Sequence, residues 1–240
     1  MAKKLYENND DSNGSYFEIS KDHQKSIQSE VLKKTGKTKQ LPHELSDAAH
    51  QLATKFFEDV GNSFKTDCKR NCSYCCYQPA TVFPFEALRI ADVLKSSLSV
   101  EELESLKEKM KARVNGLKGS SVQKNINDKT ACPLLSNEQC SVYENRPLTC
   151  RMAHSFSVKK CRLSFQKDRF KIQIPVSLEL QTGIGGIIAA AFEQLPKEKL
   201  DGNLYELCSA VLVALSDSNA ATKWANGDLS VFKGCIKDDT

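Results

Sequence analysis

Apolar residues recur at helical spacing along most of this chain. The pattern is clearest after His43, where apolar positions three or four residues apart define one helical face: Leu45, Ala49, Leu52, Phe56 and Val60. Gly61 and Asn62 follow, and such residues commonly end a helix. We therefore expect an amphipathic helix from His43 to about Gly61.

Two further helices are expected in the middle of the chain. Pro84 suits a first helical turn and precedes an apolar face formed by Phe85, Leu88, Ile90 and Leu94. Ser99 and Glu102 match a capping box, the reciprocal hydrogen-bonding pair that begins many helices. The apolar residues after this pair keep helical spacing as far as Leu117.

The C-terminal part is expected to supply an inner helical layer. Residues 178–195 and 204–216 are strongly apolar and helical in pattern. The glycines Gly183, Gly185 and Gly186 lack the flanking features of a nucleotide-binding loop, so we interpret them as a site of close helix packing. The alternating residues 169–176 predict one short strand. The fold class is therefore mainly α, with little sheet.

Composition sets the domain organisation. The chain has 240 residues, of which 40% are hydrophobic and 27% are charged, close to the averages for globular proteins. Residues 1–40 are polar and lysine-rich, and we expect them to form a mobile tail, with one loose helix from Lys21 to Lys34. Residues 41–240 are expected to form a single helical domain, with a cysteine-cluster region at 67–162.

Charge and hydropathy limit the partners. The net charge of +4 is dispersed, without a basic stripe interleaved with aromatics, so we expect no nucleic acid. The most apolar stretch, 184–192, is too short to cross a membrane, and the residues after Met1 do not resemble a signal peptide. We expect a cytoplasmic protein, in which ten cysteines would serve metal or redox chemistry rather than disulfides.

Eight of the cysteines form two groups. The first has the spacing C-x3-C-x2-C-C, and the two groups are Cys68, Cys72, Cys75 and Cys76, then Cys132, Cys140, Cys150 and Cys161. Short spacings bring thiolates together at low entropic cost, which predicts a metal site. We expect two loops to meet over the metal, with Cys76 and Cys161 as secondary ligands. Cys208 lies among apolar residues and Cys235 near the end, so both are left out.

The identity of the metal stays open between zinc and an iron–sulfur cluster, because sulfur ligation suits both. Cys68, Cys72 and Cys75 have the spacing by which radical S-adenosylmethionine enzymes hold a [4Fe–4S] cluster, whereas C-x2-C followed by distant cysteines is typical of structural zinc. His154 is an alternative ligand. Adjacent Cys75 and Cys76 are not expected to bind one ion together, so either one is spare or two metals are present.

The motifs around the cysteines resemble a known family. They are Cys68-Lys-Arg-Asn-Cys72-Ser-Tyr-Cys75-Cys76, Cys132-Pro-Leu-Leu, and Cys140-Ser-Val-Tyr-Glu-Asn-Arg-Pro-Leu-Thr-Cys150-Arg151. They are similar to the YkgJ-type cysteine-cluster family, described as zinc- or iron-chelating. The resemblance covers about residues 67–161 and implies a metal site. The family includes flagellin lysine N-methylases, so an enzyme that methylates a protein with S-adenosylmethionine is the alternative function.

Two arginines bracket Cys150. Arg146 and Arg151 could balance the negative charge of a thiolate cluster or bind an anionic group. The alternative is a salt bridge to Glu144 or Glu86 that braces the loop. No acid–base pair is recognisable, and catalytic residues and the site for S-adenosylmethionine remain unassigned.

Overall fold

The computed structural model describes residues 22, 25–61, 66–69, 71–117, 122, 129–167 and 171–238. These residues are mainly helical and include two small antiparallel sheets of two strands each, which confirms the predicted fold class. The α-helices are α1 Leu41–Gly61, α2 Pro84–Ser97, α3 Val100–Gly116, α4 Leu148–Met152, α5 Val158–Gln166, α6 Leu178–Lys197, α7 Leu207–Ser216 and α8 Ala220–Ala225. The strands are β1 Thr81–Val82, β2 Leu135–Ser136, β3 Gln139–Cys140 and β4 Tyr205–Glu206.

A short helical segment precedes α1. A π-helical turn, Ile27–Leu32, continues into the α-helical residues Lys33–Thr35. Ile27 and Val31 are buried in the hydrophobic core, so the core extends into the segment that the sequence assigns to the tail. The rest of that tail, 1–21 and 23–24, lies outside the described residues, and the domain boundary remains a prediction.

The two helices that follow α1 begin where the sequence predicts. Pro84 is the first residue of α2, and the backbone N–H of Phe83 donates to the carboxylate of Glu86 at 3.1 Å. At the start of α3, the N–H of Glu102 donates to the hydroxyl of Ser99 at 3.2 Å, and the carboxylate of Glu102 accepts from the Ser99 N–H at 2.9 Å. At the start of each of these two helices, side chains accept hydrogen bonds from backbone N–H groups that lack a helical partner.

The core lies between these helices. Helix α7 packs against α2 and α3, while α1 packs against α2 and α6. A Cβ atom added to Gly183 of α6 would overlap the ring of Phe56 in α1, so the two helices pack closely at Gly183. Strands β1 and β4 pair antiparallel, with Thr81 opposite Glu206, and this sheet connects the first cysteine group to the core.

The prediction of a strand over residues 169–176 is wrong for residues 171–176, the part that the structure describes. Residues 171–176 contain no strand. The carbonyl of Pro175 instead accepts from the backbone N–H of Phe156 at 2.9 Å, which attaches the segment to the loop before α5. Alternating apolar residues can form a strand only where a partner strand is available. Residues 168–170, and 118–121 and 123–128 of the loop expected between the two cysteine groups, lie outside the described residues.

Candidate metal centre

The first cysteine group lies between α1 and β1. Asn71 has a positive φ of 68°, a left-handed conformation that asparagine tolerates, and it turns the chain between Cys68 and Cys72. Cys75 and Cys76 lie in a 3₁₀ helix, Tyr74–Tyr77. This short helix is followed directly by β1, which is held by its pairing with β4.

The second group spans a hairpin and two helices. Strands β2 and β3 pair with Leu135 opposite Cys140, and the intervening Asn137 and Glu138 have φ values of 50° and 60°. Positive φ at both central residues is typical of the tight turns that suit the twist of a hairpin. Cys132 precedes this hairpin, while Cys150 and Cys161 lie in α4 and α5.

Hydrogen bonds join the two groups. The backbone N–H of Cys132 donates to the carbonyl of Cys76 at 2.8 Å, and the hydroxyl of Ser73 donates to the carboxylate of Glu138. The backbone N–H of Ser155 donates to the sulfur of Cys68 at 3.2 Å. Two segments distant in sequence therefore form one unit.

All eight cysteines of the two groups line a single cavity of about 710 Å³. None of the eight is in a disulfide bond. Cys208 and Cys235 do not line this cavity. Two segments distant in sequence thus meet around one cavity as predicted, although the second consists of a hairpin and two helices rather than one loop. The assignment of the eight thiols as metal ligands remains a prediction.

The chemistry of these donors fits the group that the sequence implies. Several cysteine sulfurs around one space suit zinc and iron, which both accept thiolate ligands. Within the described ranges, no three His, Cys, Asp or Glu side chains are close enough to hold one ion. Binding would therefore require the thiols to move together, as expected where metal binding and local folding are coupled.

The cavity favours protonated thiols in the absence of a cation. Desolvation, together with the neighbouring Cys75 and Cys72, raises the pKa of Cys68 to about 11, against the opposing hydrogen bond from Ser155. Burial raises the pKa of Cys132 to about 12 and that of Cys150 well above its usual value. A bound cation would reverse this effect by stabilising thiolates, so metal binding should release protons.

Positive side chains accompany both groups. Desolvation raises the pKa of Cys72 and that of Cys140. The nearby charge of Lys69 opposes the rise at Cys72, and the charge of Arg146 opposes the rise at Cys140. The guanidinium of Arg146 lies 4.1 Å from the ring centre of Tyr143. Arg151 donates to the backbone carbonyl of Glu144 at 2.8 Å, which braces the turn before α4. These contacts are compatible with cations that offset thiolate charge.

His154 is buried beside the cavity, and both of its ring nitrogens have backbone partners. Nε2 accepts from the N–H of Ser177 at 2.8 Å, so Nδ1 carries the proton and donates to the carbonyl of Met152 at 2.9 Å. Binding a metal would break one of these bonds. The geometry therefore favours a structural role for this histidine.

Sequence reasoning did not identify how Glu86 and Ser155 organise the site. Glu86 is almost fully buried, and its second carboxylate oxygen accepts from the backbone N–H of Leu148 at 2.8 Å, at the start of the helix that carries Cys150. The contact of Glu86 with the N–H of Phe83 could have been predicted, because Pro84 and Glu86 match the residue pattern that begins a helix. The contact with Leu148 and the Ser155–Cys68 contact depend on tertiary folding and carry no local signal.

The fold and the cavity define a helical protein with a thiol-rich candidate metal centre. Residues 67–173 match the CxxCxxCC family, whose description is "Putative zinc- or iron-chelating domain". This match confirms the resemblance to a cysteine-cluster family and supports metal binding by that segment. The comparisons found no matching curated protein and no matching solved structure. None of the described helices combines the length and apolarity needed to cross a membrane.

Proposed function

We propose that this chain binds zinc or iron through cysteine thiolates in the cavity, as a structural or redox metal protein. The observation that supports this most directly is that the eight cysteines line one cavity although they come from two distant segments. A family match for zinc or iron chelation covers those same residues. The bound metal would cross-link the two segments or, as an iron–sulfur cluster, would transfer electrons.

The residues of the chain have separate roles in this proposal. The thiols Cys68, Cys72, Cys75, Cys76, Cys132, Cys140, Cys150 and Cys161 are the candidate ligands. Arg146 offsets negative charge near Cys140, and the backbone N–H of Ser155 stabilises the sulfur of Cys68. The hydrogen bond between Cys132 and Cys76 keeps the two cysteine segments adjacent before a metal binds.

The decisive experiment is to purify the full chain without oxygen and to measure zinc, iron and acid-labile sulfide together with the visible absorption spectrum. A colourless protein with zinc would identify a zinc protein, and a brown one with iron and sulfide a cluster protein. Cys140→Ser should reduce the metal content, whereas Cys235→Ala is the matched control because Cys235 lies outside the cavity. A reduced wild-type chain that binds neither zinc nor iron would overturn the proposal.

A second candidate function is protein lysine methylation with S-adenosylmethionine. The observation that favours it is the size of the cavity, since about 710 Å³ exceeds the space of a metal ion and falls in the range of small-molecule sites. The spacing of Cys68, Cys72 and Cys75 is a second reason. Calorimetric titration of S-adenosylmethionine into the metal-loaded protein tests it, and an absence of binding to a chain that still holds its metal would reject methylation alone.

We further propose a cytoplasmic location and a protein partner or substrate. Reduced thiols persist in the cytoplasm, and none of the ten cysteines is in a disulfide bond in the structure. The dispersed charges give no reason to expect nucleic acid or a membrane as partner. Crosslinking in intact cells, followed by identification of the attached protein, would test for a partner. Recovery of crosslinked RNA instead would contradict this proposal.

A further inference from the structure

The cysteines around the cavity are arranged as two structural groups. The first group comprises Cys68, Cys72, Cys75 and Cys161, and the second comprises Cys76, Cys132, Cys140 and Cys150. This division differs from the order along the chain, because Cys161 joins the first group and Cys76 joins the second. Different sets of contacts hold each group together.

The first group depends on contacts between α5 and the first cysteine segment. The backbone N–H of Asp67 donates to the carbonyl of Ser155 at 2.9 Å, and its carboxylate accepts from the N–H of Val158 at 3.2 Å. The ring of Phe165 lies 4.8 Å from that of Tyr77, measured between centroids. These contacts place α5, and with it Cys161, against the segment that carries Cys68, Cys72 and Cys75.

Further contacts reinforce the position of α5. Arg162, the residue after Cys161, donates from Nε to the hydroxyl of Tyr74 at 2.9 Å. The rings of Tyr74 and Phe165 lie 6.0 Å apart. The 3₁₀ helix with Cys75 is therefore fixed to α5 at two points on either side of Cys161.

The second group depends on contacts among the hairpin, α4 and the carbonyl of Cys76. The Cys132 N–H donates to that carbonyl at 2.8 Å, and the Cys132 carbonyl accepts from the N–H of Leu135, the residue paired with Cys140. The hydroxyl of Thr149 donates to the carbonyl of Thr81 at 2.5 Å, which ties α4 to β1. The first two bonds hold Cys132 beside Cys76 and beside the hairpin that carries Cys140. The third holds the helix that carries Cys150 against the strand that follows Cys76.

The electrostatic neighbours of the thiols follow the same division except at Cys75, which interacts with members of both groups. Cys68 interacts with Cys72, Cys75 and Cys161. Cys150 interacts with Cys132, Cys75 and Cys140, and Cys76 interacts with Cys75, Cys132 and Cys150. Among the strongest such interactions, every pair that crosses between the groups includes Cys75. Cys75 and its neighbour Cys76 are hydrogen-bonded through their thiols and mark the boundary.

We propose that the eight cysteines form two adjacent four-thiolate metal sites, one from each group. The proposal rests on the proposed function and specifies how many centres it uses. Four thiolates complete a tetrahedral site, so eight supply two without any other ligand. Each group has its own nearby cation, Lys69 in the first and Arg146 in the second, to offset the negative charge of its site.

Cobalt(II) titration of the reduced, metal-free full chain tests the number of sites. We expect two cobalt ions per chain by native mass spectrometry, with the visible bands of tetrahedral cobalt thiolate. Cys161→Ser and Cys140→Ser should each lower the count from two to one, and Cys161→Ser/Cys140→Ser should lose both. Cys235→Ala is the control and should retain two. Circular dichroism of each variant checks its fold.

A measurement on the wild-type chain keeps the proposal testable if a variant fails to fold. Cysteines that bind cobalt resist alkylation, so mass mapping should show four newly protected thiols per bound ion and eight at saturation. One ion per wild-type chain, or complete loss of binding in both folded single variants, would overturn the division while leaving metal binding intact. A wild-type chain that binds no metal at all would instead contradict the proposed function.

Discussion

The backbone N–H of Leu148 donates a 2.8 Å hydrogen bond to the carboxylate of Glu86. The other oxygen of that carboxylate accepts from the N–H of Phe83 at 3.1 Å. One buried side chain therefore satisfies backbone donors at the starts of both α2 and α4, where helical partners are missing. Because α4 carries Cys150, this link joins the helical core to the candidate metal centre.

Replacing Glu86 should weaken both the fold and the metal centre. Glu86→Ala removes two N-terminal hydrogen bonds, and a lost cap costs roughly 0.5–2 kcal/mol, so the free energy of unfolding should fall by about 1–4 kcal/mol. Urea unfolding of the metal-free chain measures this fall. Cobalt affinity should also decrease, because α4 loses its tie to α2.

Glu102 provides the matched control. Its carboxylate also accepts from a backbone N–H, that of Ser99 at the start of α3, but this contact is exposed and remote from the cysteines. Glu102→Ala should lower the free energy of unfolding by at most about 1 kcal/mol and leave cobalt affinity unchanged. Equal losses of cobalt affinity in the two variants would contradict the role assigned to Glu86.

The helices were predictable because their determinants are local. The apolar face of α1, Pro84 at the start of α2, and the Ser99–Glu102 pair at the start of α3 are all visible over a few residues. The strand expected over 169–176 failed because strand formation depends on a partner that the local pattern does not specify. Local periodicity thus identified the main helices but not the extended segments.

The cysteine spacing predicted two loops around one site, and in the structure two segments distant in sequence meet around one cavity. The spacing could not predict which thiols are neighbours. Cys161 lies beside the segment that carries Cys68, Cys72 and Cys75. Contacts such as the hydrogen bond between Asp67 and Ser155, residues far apart in sequence, hold it there. Backbone hydrogen bonds of this kind can be made by any residue type, so the amino-acid sequence carries no direct signal for them.

A side chain at Gly183 should displace the Phe56 ring. Gly183→Ala would place a Cβ in the space of the Phe56 ring, which is partly exposed and would have to move. We therefore expect a cost near the lower end of the range of about 1–3 kcal/mol that is typical of overpacking. We expect a corresponding decrease in the free energy of unfolding, measured in urea. Gly183→Ala/Phe56→Leu should recover part of the loss, because the smaller side chain makes room for the new methyl group.

Gly116 is the matched control, since a Cβ there would have no atom within 4 Å and the residue ends α3. Gly116→Ala should leave stability unchanged or raise it by up to about 1 kcal/mol, through a lower entropy of the unfolded chain. A loss in Gly116→Ala as large as that in Gly183→Ala would show that close packing against Phe56 is not the cause.

The two cysteines outside the cavity should contribute, together with the thiols inside it, to a decrease in stability at alkaline pH. Burial raises the pKa of Cys235 from 9.0 to about 12, and burial together with the nearby Glu206 raises that of Cys208 well above 9.0. Below pH 9 these thiols are protonated in both folded and unfolded chains. Above it, only the unfolded chain releases their protons, so rising pH favours unfolding by at most about 1.4 kcal/mol per pH unit for each thiol.

The measurement is urea unfolding of the reduced chain between about pH 8 and pH 10, in the wild type and in Cys208→Ala. Cys208 is buried within α7, so alanine keeps a small apolar side chain there while removing the titrating group. We expect the free energy of unfolding of Cys208→Ala to fall less steeply with pH than that of the wild type. Other alkaline groups contribute equally to both proteins, so identical slopes would mean that the Cys208 thiol ionises as readily in the folded chain as in the unfolded one.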